Sequence, residues 1–240
     1  MSDDLSIPRG RLLARLAEHL AAVRLDHPVR VAIDGVDGAG KSTLADDLVQ
    51  PLEARGRPVI RASCDGFHRP RWYRYRRGAD SPQGYYLDSF DYEALKANLL
   101  LPLGPEGDRR YRPAIFDFAS DSPVDLPWQL APADAVLLLD GVFLLRPALN
   151  PHWDLRIFLD VDFETAVARA ARRDAAPPGS FEAVAARYWR RYVPGQQIYL
   201  REVRPQALAD VIVDNRQRHA GSLDTRGLRP PGTTQGGSRL

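Results

Sequence analysis

Lysine is nearly missing from this chain of 240 residues: Lys41 and Lys96 are its only two, among 33 basic side chains. The arginine excess carries no functional weight by itself, but it makes Lys41 stand out. Cysteine is rarer still. Cys64 alone excludes an intrachain disulfide and permits a reducing compartment. No long apolar run occurs; Ala135 to Leu139, continuing through Val142 to Leu145, is broken by Asp140 and Gly141 and is far too short to span a bilayer. The opening Met1-Ser2-Asp3-Asp4 is acidic and has neither part of a signal peptide, so a cytoplasmic location is expected. A net charge of +2 demands neither a nucleic acid nor a membrane partner. There is no internal repeat.

What the chain does have is Gly35-Val36-Asp37-Gly38-Ala39-Gly40-Lys41-Ser42, which fits G-x-x-x-x-G-K-[ST]. The β-branched run Arg30 to Ile33 reads as a buried strand before it. Leu44, Leu48 and Leu52 predict a helix with one apolar face after it. Glycines let successive N–H groups turn inward around phosphate oxygens, and the helix aims its positive end at the same anion. Lys41 supplies a point charge for the β/γ-phosphates, and the Ser42 hydroxyl suits Mg²⁺. Residues 35 to 43, ending at Thr43, are therefore the expected seat of a nucleoside triphosphate.

The rest of the chain alternates strands and helices. Leu13, Leu16, Leu20 and Val23 predict an N-terminal helix. Val59–Ser63, Ala135–Leu139, Arg156–Leu159 and Ala209–Val213 read as strands. Arg69 to Tyr86 reads as a loop dense in arginine and aromatics. Asp91 caps a helix carrying Leu95, Leu99 and Leu100, and Tyr111 to Asp117 reads as extended. Helices are expected over Phe163–Arg173 and Phe181–Tyr192, separated by Pro177-Pro178-Gly179. The fold class is α/β: a P-loop NTPase-type parallel sheet of about five strands, helices on both faces and a short helical lid. The expected division is an N-terminal helix over 1–28, one domain over 29–215 with an acceptor insert near 66–130 and a lid near 169–195, and a polar, disordered tail over 216–240.

Ligands in such sheets bind at the carboxyl ends of the strands. Asp140, after the apolar run, suits Mg²⁺; its plainer role is a helix cap. Asp65 is the candidate base for an attacking hydroxyl, or else a turn aspartate before Gly66. Asp160 and Asp162 read as caps. Arg169 and Arg173 are four apart, so they share one helix face and can converge on phosphates beneath a lid; a solvated arginine face is the plainer alternative.

With these residues assembled, the chain from about Val31 to Asn215 resembles the uridine kinase-like branch of the phosphoribulokinase/uridine kinase family. Cys64-Asp65-Gly66-Phe67-His68 is similar to the family's catalytic-base motif, and Asp80-Ser81-Pro82 with Ser89-Phe90-Asp91 to its ribose-binding acidic segment. Leu139-Asp140-Gly141-Val142 resembles its Mg²⁺ motif, with aspartate in place of glutamate. Arg169 and Arg173-Asp174 match its lid arginines, and Ala209–Val213 its closing strand. The resemblance implies an ATP- and Mg²⁺-dependent kinase for a primary hydroxyl, with a nucleoside such as uridine or cytidine as acceptor. It implies Asp65, Lys41, Arg169 and Arg173 as catalytic residues, Ser42 and Asp140 as metal ligands, and Asp80, His68, Arg71, Tyr86, Phe116 and Asp121 around the acceptor.

The departures concern that acceptor. Phe116 and Asp121 stand where uridine-specific members carry a tyrosine and a histidine, Tyr85 to Asp88 are inserted, and the lid is short. Asp65-Gly66-Phe67-His68 is also reminiscent of type I pantothenate kinases, so pantothenate and nicotinamide riboside are alternative acceptors. A regulatory GTPase is excluded because no Asn-Lys-x-Asp element is present. A thymidylate-type kinase lacks its arginine-led motif. Arg69 to Arg77 interleaves cations and aromatics as single-strand binders do, but beside Asp65 it suits an acceptor lid better, so a nucleic acid is not an expected partner. A homo-oligomer is compatible with everything above.

Overall fold

The computed structural model describes residues 7–175, 180–217 and 220–224. A two-residue strand β1 (Ile7–Pro8) and helix α1 (Arg9–Ala22) lead to strand β2 (Val29–Gly35), the glycine loop and α2 (Lys41–Glu53). After β3 (Val59–Ser63) the chain makes an insert with three short helices, α3 (Arg71–Arg74), α4 (Pro82–Asp88) and α5 (Tyr92–Leu95). Two small hairpins follow: β4 (Arg110–Tyr111) pairs with β7 (Gln129–Leu130), and within it β5 (Phe116–Asp117) pairs with β6 (Ser122–Pro123). Strands β8 (Val136–Asp140) and β9 (Leu155–Asp160) return to the main sheet. Helices α6 (Phe163–Asp174), α7 (Phe181–Arg187), α8 (Val193–Val203) and α9 (Pro205–Leu208) precede β10 (Val211–Asp214) and β11 (Ala220–Asp224).

The main sheet runs β1-β11-β10-β9-β2-β8-β3. Its five strands from β10 to β3 are parallel, as expected, and β11 and β1 add an antiparallel edge. Strands β2 and β8 are buried along their whole length, which is why their sequences are nearly continuous apolar runs. Alternation sorts their side chains into two cores. Val31, Ile33, Val136 and Leu138 pack with Leu16 of α1 and Leu48 of α2; Ala32, Leu137 and Leu139 pack with Phe143, Leu99 and Tyr199. Successive strands after β2 go to one side and then the other. The carboxyl end of β2 is therefore the crevice where such sheets bind ligands.

Four details differ from the sequence expectation. On α1, Leu12 is buried and Leu13 only half so, since Leu12, Leu16 and Leu20 form the true four-residue stripe. The Arg69–Tyr86 stretch is not all loop: Ser81 caps α4, its Oγ accepting from Gly84 N at 3.0 Å, with Pro82 in the first turn. The helix beginning at Phe181 continues past Tyr192, because a wider π-type turn over Tyr188–Tyr192 lets Pro194 enter the first turn of α8 without losing a backbone bond. Five residues of the expected disordered tail form β11, which covers the open backbone groups of β10. Pro177 to Gly179 and residues 225–240 lie outside the described residues. Among the described residues no helix is long and apolar enough to cross a membrane.

Helix α8 touches α4 at Gly195. A methyl group there would sit 2.8 Å from Tyr85 Cδ1 and 2.9 Å from Pro82 O. Alanine gains about 0.5–1 kcal/mol in helix propensity, but overpacking costs about 1–3 kcal/mol, so the clash wins. Gly195→Ala should lower the free energy of unfolding by about 1–2 kcal/mol net in urea titration; an unchanged midpoint would mean the two helices are free to separate.

Candidate active site

The glycine loop leaves β2 and turns sharply at Gly38, whose φ is +76° and whose added Cβ would lie 2.1 Å from Ala166 O. No residue with a side chain fits there. The first helical bond of α2 is Leu44 N to Gly40 O at 3.0 Å, so the N–H groups of Lys41, Ser42 and Thr43 precede the helical ladder and face the crevice end. The loop is braced from behind: Asn215 Nδ2 donates to Ala39 O at 2.7 Å, and Asp37 N donates to Gln196 Oε1 at 2.8 Å. Through that last bond the Asp37 N–H is engaged by α8. Lys41 is buried, and its Nζ donates to Val36 O at 2.8 Å, folded back across the loop.

The carboxyl ends of β2, β3 and β8 meet in register, Ile33 and Ser63 both opposite Asp140. Ser42 Oγ donates to Asp140 Oδ2 at 2.6 Å. The other oxygen, Oδ1, is buried and lies 2.9 Å from Arg61 Nη2, yet no donor meets it in hydrogen-bond geometry. An aspartate with an unsatisfied buried oxygen next to a serine hydroxyl is an all-oxygen donor set. It fits Mg²⁺, which takes one or two protein ligands and fills its octahedron with phosphate and water.

Asp65 follows β3 directly, in a single 3₁₀ turn that Ser63 caps by accepting from Asp65 N at 3.3 Å. It lines the same cavity of ≈ 690 Å³ as Lys41, Ser42 and Asp140. The cleft walls, and after them the charge of Asp140, push its carboxyl up from the usual range, although 70% of the side chain still meets solvent. His68 also lines the cavity, its ring 4.4 Å from Phe90 and 4.6 Å from Phe118. Its Nδ1 lies 3.0 Å from Asp65 O, and a carbonyl only accepts, so Nδ1 carries the proton. Burial holds this imidazole down at about 4, against the hydrogen bond to Asp65.

The predicted arginines reach the cavity, with different engagements. Arg169 donates to Asn215 O at 2.9 Å and Arg216 O at 2.8 Å, tying α6 to the chain after β10. Arg173 pairs with Asp174 at 2.7 Å, and Tyr188 donates to the same carboxylate at 2.7 Å. Of the expected acceptor contacts only His68 lines the cavity. Asp80 is exposed on the insert, outside the cavity. Asp121 accepts from Arg71 N at 3.0 Å and from Arg74 Nη2 at 2.5 Å. Arg71 stacks toward Tyr75, its guanidinium 5.6 Å from the ring. Phe116 is buried in its hairpin, and Tyr86 packs in the core with its ring 5.2 Å from Phe143. Asp121, Arg71, Phe116 and Tyr86 all lie outside the cavity wall.

Their places are taken by neighbours. Tyr85, not Tyr86, faces the cavity and donates to Asp37 Oδ2 at 2.7 Å; Phe118, two residues after Phe116, covers His68. Arg187, Tyr188 and Tyr192 close the far wall, with Arg187 donating to Tyr75 OH at 2.6 Å. Both tyrosines lie on the helix that Ser81 caps, and packing on Phe143 and α8 decides which of them meets the cavity. Nothing local distinguishes Phe118, which is oriented by the turn through Asp121, a residue with φ +51°.

No family model matches the chain. Uridine-cytidine kinase B of Dictyostelium discoideum is 27% identical over 199 residues, covering 82% of this chain and 79% of that protein. A solved structure of a possible uridine kinase from Bacillus stearothermophilus superposes with a TM-score of 0.67 at 23% identity, over 85% of this chain and 98% of that one. D-Glycerate 3-kinase from Cryptococcus neoformans var. grubii gives 0.54 at 16% identity, over 78% of this chain and 85% of that one. At those identities the two structures establish the fold.

The buried imidazole has a consequence for stability. Unfolded, His68 takes a proton near its ordinary 6.5; folded, it does so only near 4. Between those values the unfolded chain binds the extra proton, so stability falls as pH drops. At pH 5 the loss from this group is roughly 2 kcal/mol, from 1.36 kcal/mol per unit. His68→Phe, which keeps a ring between Phe90 and Phe118, should lose that much less than wild type between pH 7 and pH 5 in urea titrations. Parallel losses in both proteins would show that the imidazole protonates in place.

Proposed function

We propose that this chain, which resembles the uridine kinase-like branch of the phosphoribulokinase/uridine kinase P-loop kinases, transfers the γ-phosphoryl group of ATP to the primary hydroxyl of a small molecule, the 5′-hydroxyl of a uridine- or cytidine-type nucleoside. Its class is that of a phosphotransferase with an alcohol acceptor. The observation that carries the reading is the shared cavity: Asp65 opens onto the same space as Lys41, Ser42 and Asp140.

The roles follow from position. The free N–H groups at the start of α2 hold the donor phosphates, and Lys41 leaves Val36 O to meet the charge between β- and γ-phosphate. Ser42 and Asp140 would hold Mg²⁺, which when bound would neutralise charge on the phosphate oxygens. Asp65 accepts the proton as the acceptor oxygen forms its bond to phosphorus and the bond to ADP breaks. A carboxyl pushed up from the usual range is the better base for that step. Arg173 brings positive charge over the transferring group from the lid, while Arg169 positions α6 against Asn215. Tyr188 and Val184 of the lid wall keep water from the phosphoryl group.

A second reading concerns the acceptor alone. Phe116 and Asp121 stand where a pyrimidine edge would be read, and both lie outside the cavity. That favours an acceptor of the pantothenate or nicotinamide riboside kind. The nucleic-acid alternative has little to recommend it: Arg74, Arg76 and Arg77 are paired with Asp121 and Asp88.

Asp65→Asn should leave ATP affinity within a few-fold and cut turnover by about 10²–10⁴; turnover near wild type removes Asp65 from the chemistry. ADP release measured across uridine, cytidine, pantothenate, nicotinamide riboside and D-glycerate should peak with uridine or cytidine. A peak on pantothenate or nicotinamide riboside would transfer the assignment to the second reading.

A further inference from the structure

Four carboxylates line the cavity: Asp37, Asp65, Asp140 and Asp174. Three have evident roles. Asp140 bonds Ser42, Asp174 is held by Arg173 and Tyr188, and Asp65 stands where the acceptor is deprotonated. Asp37 is left over, and it is firmly oriented. Its Oδ2 accepts from Tyr85 OH at 2.7 Å and from Gln196 Nε2 at 3.0 Å, and Gln196 Oε1 takes its N–H at 2.8 Å. Two helices, α4 and α8, thus fix the plane of one side chain on the phosphate loop. Its second oxygen, Oδ1, receives no hydrogen bond from the described residues and is not sealed from solvent.

The acceptor insert supplies no comparable group. Asp80 is exposed outside the cavity, Asp88 is buried under Arg76 and Arg77, and Asp121 is bonded to Arg71 and Arg74. We propose that Asp37 selects the acceptor: its Oδ1 accepts a hydrogen bond from a second hydroxyl of the acceptor, distinct from the one that Asp65 deprotonates, so the acceptor is a polyol. The inference rests on the kinase reading of the cavity. An oriented carboxylate beside a second carboxylate admits a neutral donor and repels an acidic group at that place. Without the second hydroxyl, Asp37 is left desolvated and unpaired when the acceptor fills the cavity, a loss felt in kcat/KM.

The test pairs substrates with variants. Wild type should phosphorylate uridine with kcat/KM about 10–100-fold above that of 2′-deoxyuridine or 3′-deoxyuridine, whichever lacks the contacted hydroxyl. In Asp37→Asn, which turns an amide toward the hydroxyl or toward Tyr85, that preference should fall to about threefold or less, chiefly through KM. A purely structural Asp37 would lower all three substrates together. Should Asp37→Asn fail to fold, Tyr85→Phe loosens the same carboxylate without changing its charge and carries the comparison. Equal kcat/KM for the three nucleosides in wild type, or an undiminished preference in the variants, overturns the inference. If wild type ignores every nucleoside, the nucleoside reading falls separately, and D-glycerate against 3-hydroxypropanoate makes the same measurement of Asp37.

Discussion

Everything in this structure depends on holding a short loop open. Between β2 and α2 the backbone must present N–H groups to empty space and must not collapse onto its own carbonyls. Three side chains from distant elements prevent the collapse: Asn215 on Ala39 O, Gln196 on the Asp37 N–H and Tyr85 on the Asp37 carboxylate. The first arrives from the chain after β10, the second from α8 and the third from α4. Each bond is individually modest, about 1 kcal/mol in net effect, but each requires its own element to be in register with the loop. The loop is thus a point where the sheet, the insert and the helix after the lid must agree.

Charge explains the rest of the cavity. Four aspartates and three arginines share its walls, and several are already engaged within the protein: Asp140 pairs with Arg61 and Asp174 with Arg173, while Arg187 donates to the Tyr75 hydroxyl. Such pairs hold a crowded site together before any ligand arrives. On the proposed kinase reading, polyanionic phosphate enters by exchange, displacing the Lys41–Val36 bond and loosening Arg173 from Asp174. A cavity that is internally neutralised in this way avoids exposing a bare cluster of like charge, which would repel itself at a cost of the same order as the pairs contribute.

How much of this was legible in the sequence follows from how local each cause is. The glycine loop, the strand before it and the helix after it are dictated by neighbours in the chain, and Asp65 and Asp140 follow from their place at strand ends. The caps Asp91 and Asp162 are equally local, accepting from Ala94 N and Thr165 N as their spacing implies. The acceptor side is a different case. Whether Tyr85 or Tyr86, Phe116 or Phe118 faces the cavity is set by how the insert packs on Phe143 and α8, and no periodicity survives in so irregular a stretch. Asp80 and Asp121 have the chemistry of hydroxyl readers, but two arginines, only one of them in the insert, hold the chain there: Arg191, from the turn between α7 and α8, takes the carbonyls of Gly78 and Ala79, and Arg74 of the insert takes Asp121. The continuation of α7 into α8 was hidden by Pro194-Gly195, which ordinarily ends a helix.

The pairing of β1 with β11, Ile7 opposite Gly221, brings the first and last described strands side by side on one edge of the sheet. The opposite edge is β3, which leads directly to Asp65 and the insert. A reporter, an affinity handle or a second enzyme joined beside β1 or β11 would therefore ride on the rim opposite the one next to Asp65, with the width of the sheet between cargo and that carboxylate.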